Sequence, residues 1–403
     1  MHITLIAGAR PNFMKVAPII KAIKELGNER VRELGSEGIS YRLVHTGQHY
    51  DKNMSDTFFE ELGIPAPDVN LGCGGGSQAE QTAAIMIAFE KELTAHPADI
   101  VMVVGDVTST MACSIVAKKL NTKVCHVEAG IRSWDLTMPE EINRMVTDSL
   151  ADYMFTTSEV ANRNLVRQGA ELMNDGMSEA KSLNDGMMPE DKYANQRVQQ
   201  RVWHVGNVMI DTLLANRARF RKPEVWDELG LKDKEFIVMT MHRPANVDEE
   251  NHLRAMMEQI IDNVHGLPVI FPIHPRTAKL FYGLWGDEAE LAKRLPNLHI
   301  VEPMGYLEFN YLVERAKVVV TDSGGITEET TVMGVPCITL RDNTERPETC
   351  TVGTNELIGT DPKAIKPALD KLFAGEWKKG AIPELWDGHT AERIVKILSA
   401  LEI

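Results

Sequence analysis

The turn TDSGGITEE, Thr321 to Glu329, sets Ser323, Gly324 and Gly325 directly before a run with helical character. Glycines there let a ligand approach the backbone. A helix beginning near Ile326 would aim its free N–H groups and the positive end of its dipole at an anion. A diphosphate fits such a cradle. Glu328 and Glu329 stand in the first turn, where a carboxylate suits the dipole but would repel phosphate. One of them is therefore suited to accept hydrogen bonds from a sugar hydroxyl, as an acidic residue does in dinucleotide-binding folds. The N-terminal GARPN is not the G-x-G-x-x-G fingerprint, which disfavours a nicotinamide or flavin dinucleotide. Its Arg10 and Lys15 would instead bring cations to the same anion.

Other polar residues stand where apolar runs end. Asp106 closes VMVVGD, Glu128 closes VCHVE, His242 and Arg243 close IVMTMHR, and His274 and Arg276 follow VIFPI. Each alone has a structural explanation, because a terminal carboxylate caps helices and a lone histidine is commonly a hydrogen-bonded structural residue. Their number shifts the balance toward a site, since ligands of open parallel sheets bind beyond the carboxyl ends of the strands.

The elements that must position them alternate between strand and helix. HITLIAGAR, YRLVHTGQHY, DIVMVVGDV, TKVCHVEAG and YMFTTSEV read as strands, with helical spacing between them; FIVMTMHR, LPVIFPIHP, LHIVEP, AKVVVTDSGG and PCITLRD restart the cycle. This predicts an α/β chain of two Rossmann-like, doubly wound domains facing each other across a cleft. Their join is expected near Val202 to Asp211. The organisation expected is 1–203, with a polar insertion at about 171–201, then 204–385, then a terminal amphipathic helix at 386–403 that returns to the first domain. The insertion carries NDGM twice and reads as a solvated excursion without chemistry.

Composition bounds the rest. The chain has 403 residues, 43% hydrophobic and 25% charged, enough for two ordinary globular cores. A formal charge of -15 argues against nucleic acid or an anionic membrane as partner. Five scattered cysteines suit reduced thiols better than a disulfide framework or a metal site. There is no basic segment leading into a long apolar run at the N-terminus and no apolar stretch of membrane-spanning length, so the cytoplasm is the expected address.

The motifs GARPNFMKVAPI, TGQHYDKNM, VVGDVTST, HVEAGIRS, MPEEINR, HVGNVMID, MHRPAN, TDSGGITEE, LRDNTERPE and ERIVKIL, in this order and spacing, resemble those of the bacterial non-hydrolysing UDP-N-acetylglucosamine 2-epimerases. The resemblance implies the GT-B type of two-domain fold, which one class of sugar-nucleotide glycosyltransferases shares. It implies interconversion of UDP-N-acetylglucosamine and UDP-N-acetylmannosamine without a cofactor, by elimination and re-addition of UDP through an enzyme-held glycal. It implies that Asp106, Glu128 and Glu140 are the catalytic carboxylates and that His242, catalytic with them, contacts the diphosphate and helps protonate or stabilise the leaving group. Arg10 and Lys15 would hold phosphate or substrate; Ser323, Gly324 and Gly325 the diphosphate; Glu329 the ribose; Phe309 the uracil environment. Arg346 would complete the nucleotide site. Arg132 and Arg144 would contact ligand or orient Glu128 and Glu140, while Asp322, Glu328 and Glu141 take capping or supporting roles. A homodimer is the common assembly of such enzymes.

The sequence also departs from the family pattern. Pro244 and Ala245 follow His242 and Arg243 where an Arg and a Glu are usual, and Thr327 stands where Gln is usual. Many bacterial members bind a second UDP-N-acetylglucosamine as activator. Of the residues implied there, Gln48, Arg243 and His274 are present, but Asp51 replaces a second Gln and Ser77 an Arg. Activation is therefore expected to be altered or absent. RSWDLT resembles relatives that act on modified UDP-sugars, which leaves the substrate open between UDP-N-acetylglucosamine and a modified UDP-N-acetylhexosamine. A glycosyltransferase of the same fold would share the nucleotide turn but not the need for clustered carboxylates, and a silent nucleotide-sugar binder would not need them at all.

Overall fold

The structure, a computed structural model, describes residues 1–34, 38–47, 63–173, 200–273 and 275–401. Gln48, Asp51 and His274, the expected polar insertion between residues 174 and 199, and the Arg10 and Arg276 side chains lie outside what is described. Two compact units emerge, Met1–Ala215 together with Glu384–Ile403, and Asn216–Pro383.

The first unit is built on β1 (His2–Ala7), β2 (Ser40–His45), β3 (Val69–Asn70), β4 (Ile100–Val104), β5 (Lys123–Val127), β6 (Tyr153–Thr156), β7 (Glu171–Leu172) and β8 (Arg201–His204). They form one parallel sheet in the order β3-β2-β1-β4-β5-β6-β8-β7. The central strands are mostly apolar because helices cover both faces: every residue of β4 is buried, as is all of β5 after Lys123. Phe89 and Leu93 of the Gln78–Ala95 helix and Cys113 and Val116 of the Thr108–Lys119 helix pack onto that face. The sheet's order reverses between β1 and β4, and such a switch point opens a crevice at the strands' carboxyl ends.

The second unit repeats the plan with β9 (Ile237–Thr240), β10 (Val269–Pro272), β11 (Leu298–Val301), β12 (Val318–Thr321), β13 (Cys337–Thr339) and β14 (Asn355–Leu357). The order β11-β10-β9-β12-β13-β14 is again wholly parallel. Its switch point lies between β9 and β12. The Glu250–Asn263 helix shows how the pattern is read out: Leu253, Met256, Met257, Ile260 and Ile261 fall on one face at three- and four-residue spacing, and all are buried. Two doubly wound parallel sheets in series bear out the expected fold class.

The chain ends in the first unit. The Thr390–Ala400 helix packs against the Arg10–Leu34 helix. Both carboxylate oxygens of Asp211 cap its start, accepting from the Thr390 and Ala391 N–H groups at 3.1 and 2.7 Å. Trp386, fully buried, donates its indole N–H to the Thr157 carbonyl at 2.9 Å. Among the described residues no helix is long and apolar enough to cross a membrane.

Candidate active site

In the first unit the chemistry-bearing residues gather at the switch point. The loop after β1 is folded around Asn12, whose Oδ1 accepts from the Gly8 and Ala9 N–H groups at 3.1 and 3.0 Å while its amide donates to the Val104 carbonyl of β4 at 3.0 Å. This ties the β1 and β4 ends together. One turn along the Arg10–Leu34 helix, Lys15 reaches back and forms an ion pair with Glu128. Gly105 lies beside that pair: a methyl group on it would sit 3.0 Å from Lys15 Nζ and 3.4 Å from Glu128 Oε2. Asp106 follows it directly. The ends of three strands thus deliver Lys15, Asp106 and Glu128 to one place.

Glu128 takes a left-handed backbone, φ 71°, which a residue with a side chain adopts at a cost. The cost is offset by a hydrogen bond from its N–H to the Phe155 carbonyl at 2.9 Å and by the Lys15 pair. Asp106 is held from the Pro139–Leu150 helix. Arg144 donates to its Oδ2 from Nε at 3.0 Å and from Nη2 at 2.6 Å, and Asn143 donates to its carbonyl at 2.8 Å.

Glu140 and Glu141 part company as adjacent helical residues must. Glu140 is exposed and has no hydrogen bond or ion pair among the described residues. Glu141 is fully buried, accepting from Arg144 Nη1 at 2.7 Å, from the Ser133 N–H and hydroxyl at 2.9 and 3.1 Å, and from the Trp134 N–H at 3.1 Å. Arg132 is buried too, with its guanidinium on Asp148 at 2.6 Å. Both arginines are therefore parts of the scaffold, Arg144 orienting Asp106 and Glu141 rather than Glu140.

In the second unit the loops after β9 and β12 meet at Asp322. This buried carboxylate accepts from the His242 N–H at 2.9 Å, the Arg243 N–H at 2.8 Å and the Asn246 amide at 3.1 Å, and pairs with His242 Nδ1 at 3.0 Å. Burial alone would raise its pKa, but these donors, His242 foremost, outweigh it and hold the group below the usual carboxylate range. His242 itself is exposed. Pro244 opens the short Pro244–Val247 helix at its first position, which proline tolerates because no intrahelical N–H is lost there.

Ser323 precedes the Gly324–Met333 helix as its N-cap, and its side chain makes no capping bond. The first-turn N–H groups therefore have no side-chain cap from Ser323. Nothing lies within 4 Å of where a Gly325 side chain would begin. Thr327, buried, donates its hydroxyl to the Gly324 carbonyl at 2.6 Å, which stiffens the first turn. Glu328 forms an ion pair with Arg346. Glu329 is buried and accepts from the Tyr306 hydroxyl at 2.8 Å. Burial, only partly offset by Tyr306, pushes its pKa up to about 7. Phe309, on the same Tyr306–Arg315 helix, packs half-buried against the core. Arg243 donates its Nε to the Asp322 carbonyl at 2.9 Å, while Ser77 is the N-cap of the Gln78–Ala95 helix in a reciprocal bond with Glu80. Among the described residues no group of acidic, histidine or cysteine side chains is arranged to hold a metal ion.

Several of these roles have no outward sign in the sequence. Asn12, Asn143 and Tyr306 work through partners distant along the chain. Only Asn12, two residues past the first turn, sits where a capping signal would be sought.

A family model described as UDP-N-acetylglucosamine 2-epimerase matches residues 32–399. The chain belongs to the UDP-N-acetylglucosamine 2-epimerase family. The resemblance in the motifs is thereby borne out, and the chain is an enzyme of isomerase type. It is 36% identical, over 99% of both chains, to the UDP-N-acetylglucosamine 2-epimerase of Methanocaldococcus jannaschii. A crystal structure of that epimerase in complex with UDP-GlcNAc and UDP superposes with a TM-score of 0.78 at 36% identity, covering 99% of each chain. It is also 36% identical, over 89% of this chain and 88% of the relative, to the UDP-2,3-diacetamido-2,3-dideoxy-D-glucuronate 2-epimerase of Pseudomonas aeruginosa.

Proposed function

We propose that this member of the family interconverts UDP-N-acetylglucosamine and UDP-N-acetylmannosamine. The observation that carries the reading furthest is the meeting of Asp106, Glu128 and Lys15 at the end of the β4–β5 pair, beside Gly105. In the forward direction a carboxylate takes the C2 proton while the C1–O bond breaks and UDP leaves, giving 2-acetamidoglucal. In the second half a carboxylate returns a proton to the opposite face of C2 and UDP oxygen re-forms the bond at C1. The C2 proton has no carbonyl beside it, so its removal depends on stabilising the departing diphosphate.

Asp106, Glu128 and Glu140 serve as the acid-base groups. The turn of Ser323, Gly324 and Gly325 and the side chain of His242 hold the diphosphate, and Arg10 and Lys15 hold phosphate or substrate. Glu329 accepts the ribose hydroxyls, Phe309 lies at the uracil and Arg346 braces the turn through Glu328. No cofactor enters the reaction, the catalyst is a homodimer, and it works in the cytoplasm. Altered activation follows from Ser77, which is committed to its capping box and offers no cation.

A second reading has an observation of its own. Trp134 stands 65% exposed at φ 62°, with its N–H fixed by Glu141. A rigid, exposed tryptophan in this loop would suit a bulkier hexosamine, and the Pseudomonas relative is named for a diacetamido sugar. Incubation with UDP-N-acetylglucosamine in deuterated water, followed by NMR, tests both. Deuterium at C2 with the manno product supports the first reading; exchange with only a diacetamido or otherwise modified UDP-sugar supports the second. Transfer to an added acceptor, or binding without exchange of any UDP-sugar, would sink the epimerase assignment.

A further inference from the structure

His126, the fourth residue of β5, has no exposed surface. Its Nε2 lies 2.8 Å from the Gly105 carbonyl oxygen and its Nδ1 2.7 Å from Asp148 Oδ1. A carbonyl oxygen can only accept. Asp148 is an acceptor as well, because its Oδ2 takes Arg132 Nη1 at 2.6 Å and the Gly130 N–H at 3.1 Å. Burial by itself would raise the Asp148 pKa, but His126 and Arg132 outweigh it and hold the carboxyl below its ordinary range. A neutral imidazole carries one N–H and would leave a lone pair against one of these two acceptors in a dry interior.

We infer that His126 is a doubly protonated imidazolium, and that it is the positioning residue that fixes the Gly105–Asp106 peptide relative to Glu128. The charged groups that meet it are Asp148 from the Pro139–Leu150 helix and, across that carboxylate, Arg132 from the loop after β5. Gly105 has φ 66°, and both of its backbone groups are tied to β5: its N–H donates to the Val127 carbonyl at 3.0 Å and its carbonyl receives the His126 proton. Rotation of that peptide would swing Asp106 on one side. It would also shift the Gly105 Cα against which Lys15 and Glu128 rest. The imidazolium holds the peptide in one orientation; Asp148 favours its charge, and Arg132 keeps Asp148 ionised.

The catalytic half of this inference rests on the epimerase reading; the protonation half does not. In wild-type chain labelled with 15N-histidine, one ring should carry protons on both nitrogens. Its signal should vanish in His126→Gln. A single-proton tautomer for that ring overturns the inference. His126→Gln should lose about 10–100-fold in kcat for C2 exchange, with KM and UDP affinity changed little, because geometry is lost and binding is not. Unchanged kcat, or parallel losses in kcat, KM and UDP affinity, would refute a positioning role.

Where His126→Gln fails to fold, Asp148→Asn keeps the shape but no longer holds the ring charged. That ring should then carry a single proton in the 15N spectrum and kcat should fall about as in His126→Gln; two protons on the ring, or an unchanged kcat, also counts against the inference. If the wild-type chain exchanges no C2 proton from any UDP-sugar, the epimerase reading fails, and the 15N result still decides the state of His126.

Discussion

Arg144 joins Asp106 to Glu141: two of its nitrogens hold Oδ2 of the aspartate at 3.0 and 2.6 Å, and the third holds the glutamate at 2.7 Å. One guanidinium therefore sets both a proposed catalytic carboxylate and, through Glu141, the Ser133–Trp134 backbone. Lysine would keep the charge but cannot serve two carboxylates in this planar geometry. Arg144→Lys should fold, bind UDP with little change, and exchange the C2 proton at least about tenfold more slowly. Arg144→Gln leaves Glu141 as a buried charge without its cation and should lose roughly 3–5 kcal/mol of stability, read from urea unfolding. Equal stability of Gln and Lys variants would show that Glu141 does not need the charge.

Glu128 stores backbone strain as well as chemistry. Alanine and glycine at this site both remove the carboxylate and leave Lys15 alone, but only glycine adopts φ 71° without cost. Glu128→Gly should therefore be more stable than Glu128→Ala by about 1 kcal/mol, the reverse of the usual order. Both should be inactive in C2 exchange. A more stable alanine variant would mean that the loop relaxes out of the left-handed region.

Glu329 titrates near the working pH. With its pKa pushed up to about 7, the unliganded group gains a proton as pH falls below that value. Donation from a ribose hydroxyl favours the ionised form, so UDP affinity should rise between about pH 6 and about pH 8 by up to tenfold. Glu329→Gln should bind UDP more weakly and with a flatter pH dependence. Calorimetric titration of the two proteins cancels the ionisation of UDP itself, and identical slopes would separate Glu329 from the ribose.

Asp211 gives a stability signature with the opposite sign to the usual carboxylate. Burial raises its pKa from 3.8 to about 6, only partly offset by the Ala391 and Thr390 N–H groups. The folded state therefore binds this proton more tightly than the unfolded chain. Its contribution is fully present below about pH 4 and is lost as pH rises through about 6. Relative to Asp211→Asn, wild type should lose on the order of 1 kcal/mol between about pH 5 and about pH 7 in urea midpoints. A gain with rising pH would show the carboxylate to be the better-held form.

The strands and the polar residues that end them were readable because parallel strands buried on both faces appear as unbroken apolar runs, and an Asp106 or Glu128 after such a run is conspicuous. What lay beyond the sequence is pairing across distance. Lys15 and Glu128 are 113 residues apart, Asp106 and Arg144 38, and His242 and Asp322 80. No local pattern announces such partners. Helical periodicity separated Glu140 from Glu141, but it could not say that Glu141 would clamp a loop. The two prospective roles of Arg144 looked alike in sequence because a helix start constrains position and not partner.

The return of the last helix to the first unit has a consequence for biosynthesis. The Asn216–Pro383 unit is complete in sequence before the segment from Glu384 onward has been made. The earlier-made unit cannot complete its fold until Trp386 and the helix that Asp211 caps have been made. A chain released some twenty residues early would carry a complete second unit beside an incomplete first one. Proteases would then find the N-terminal segment, and not the truncated end, the softer target.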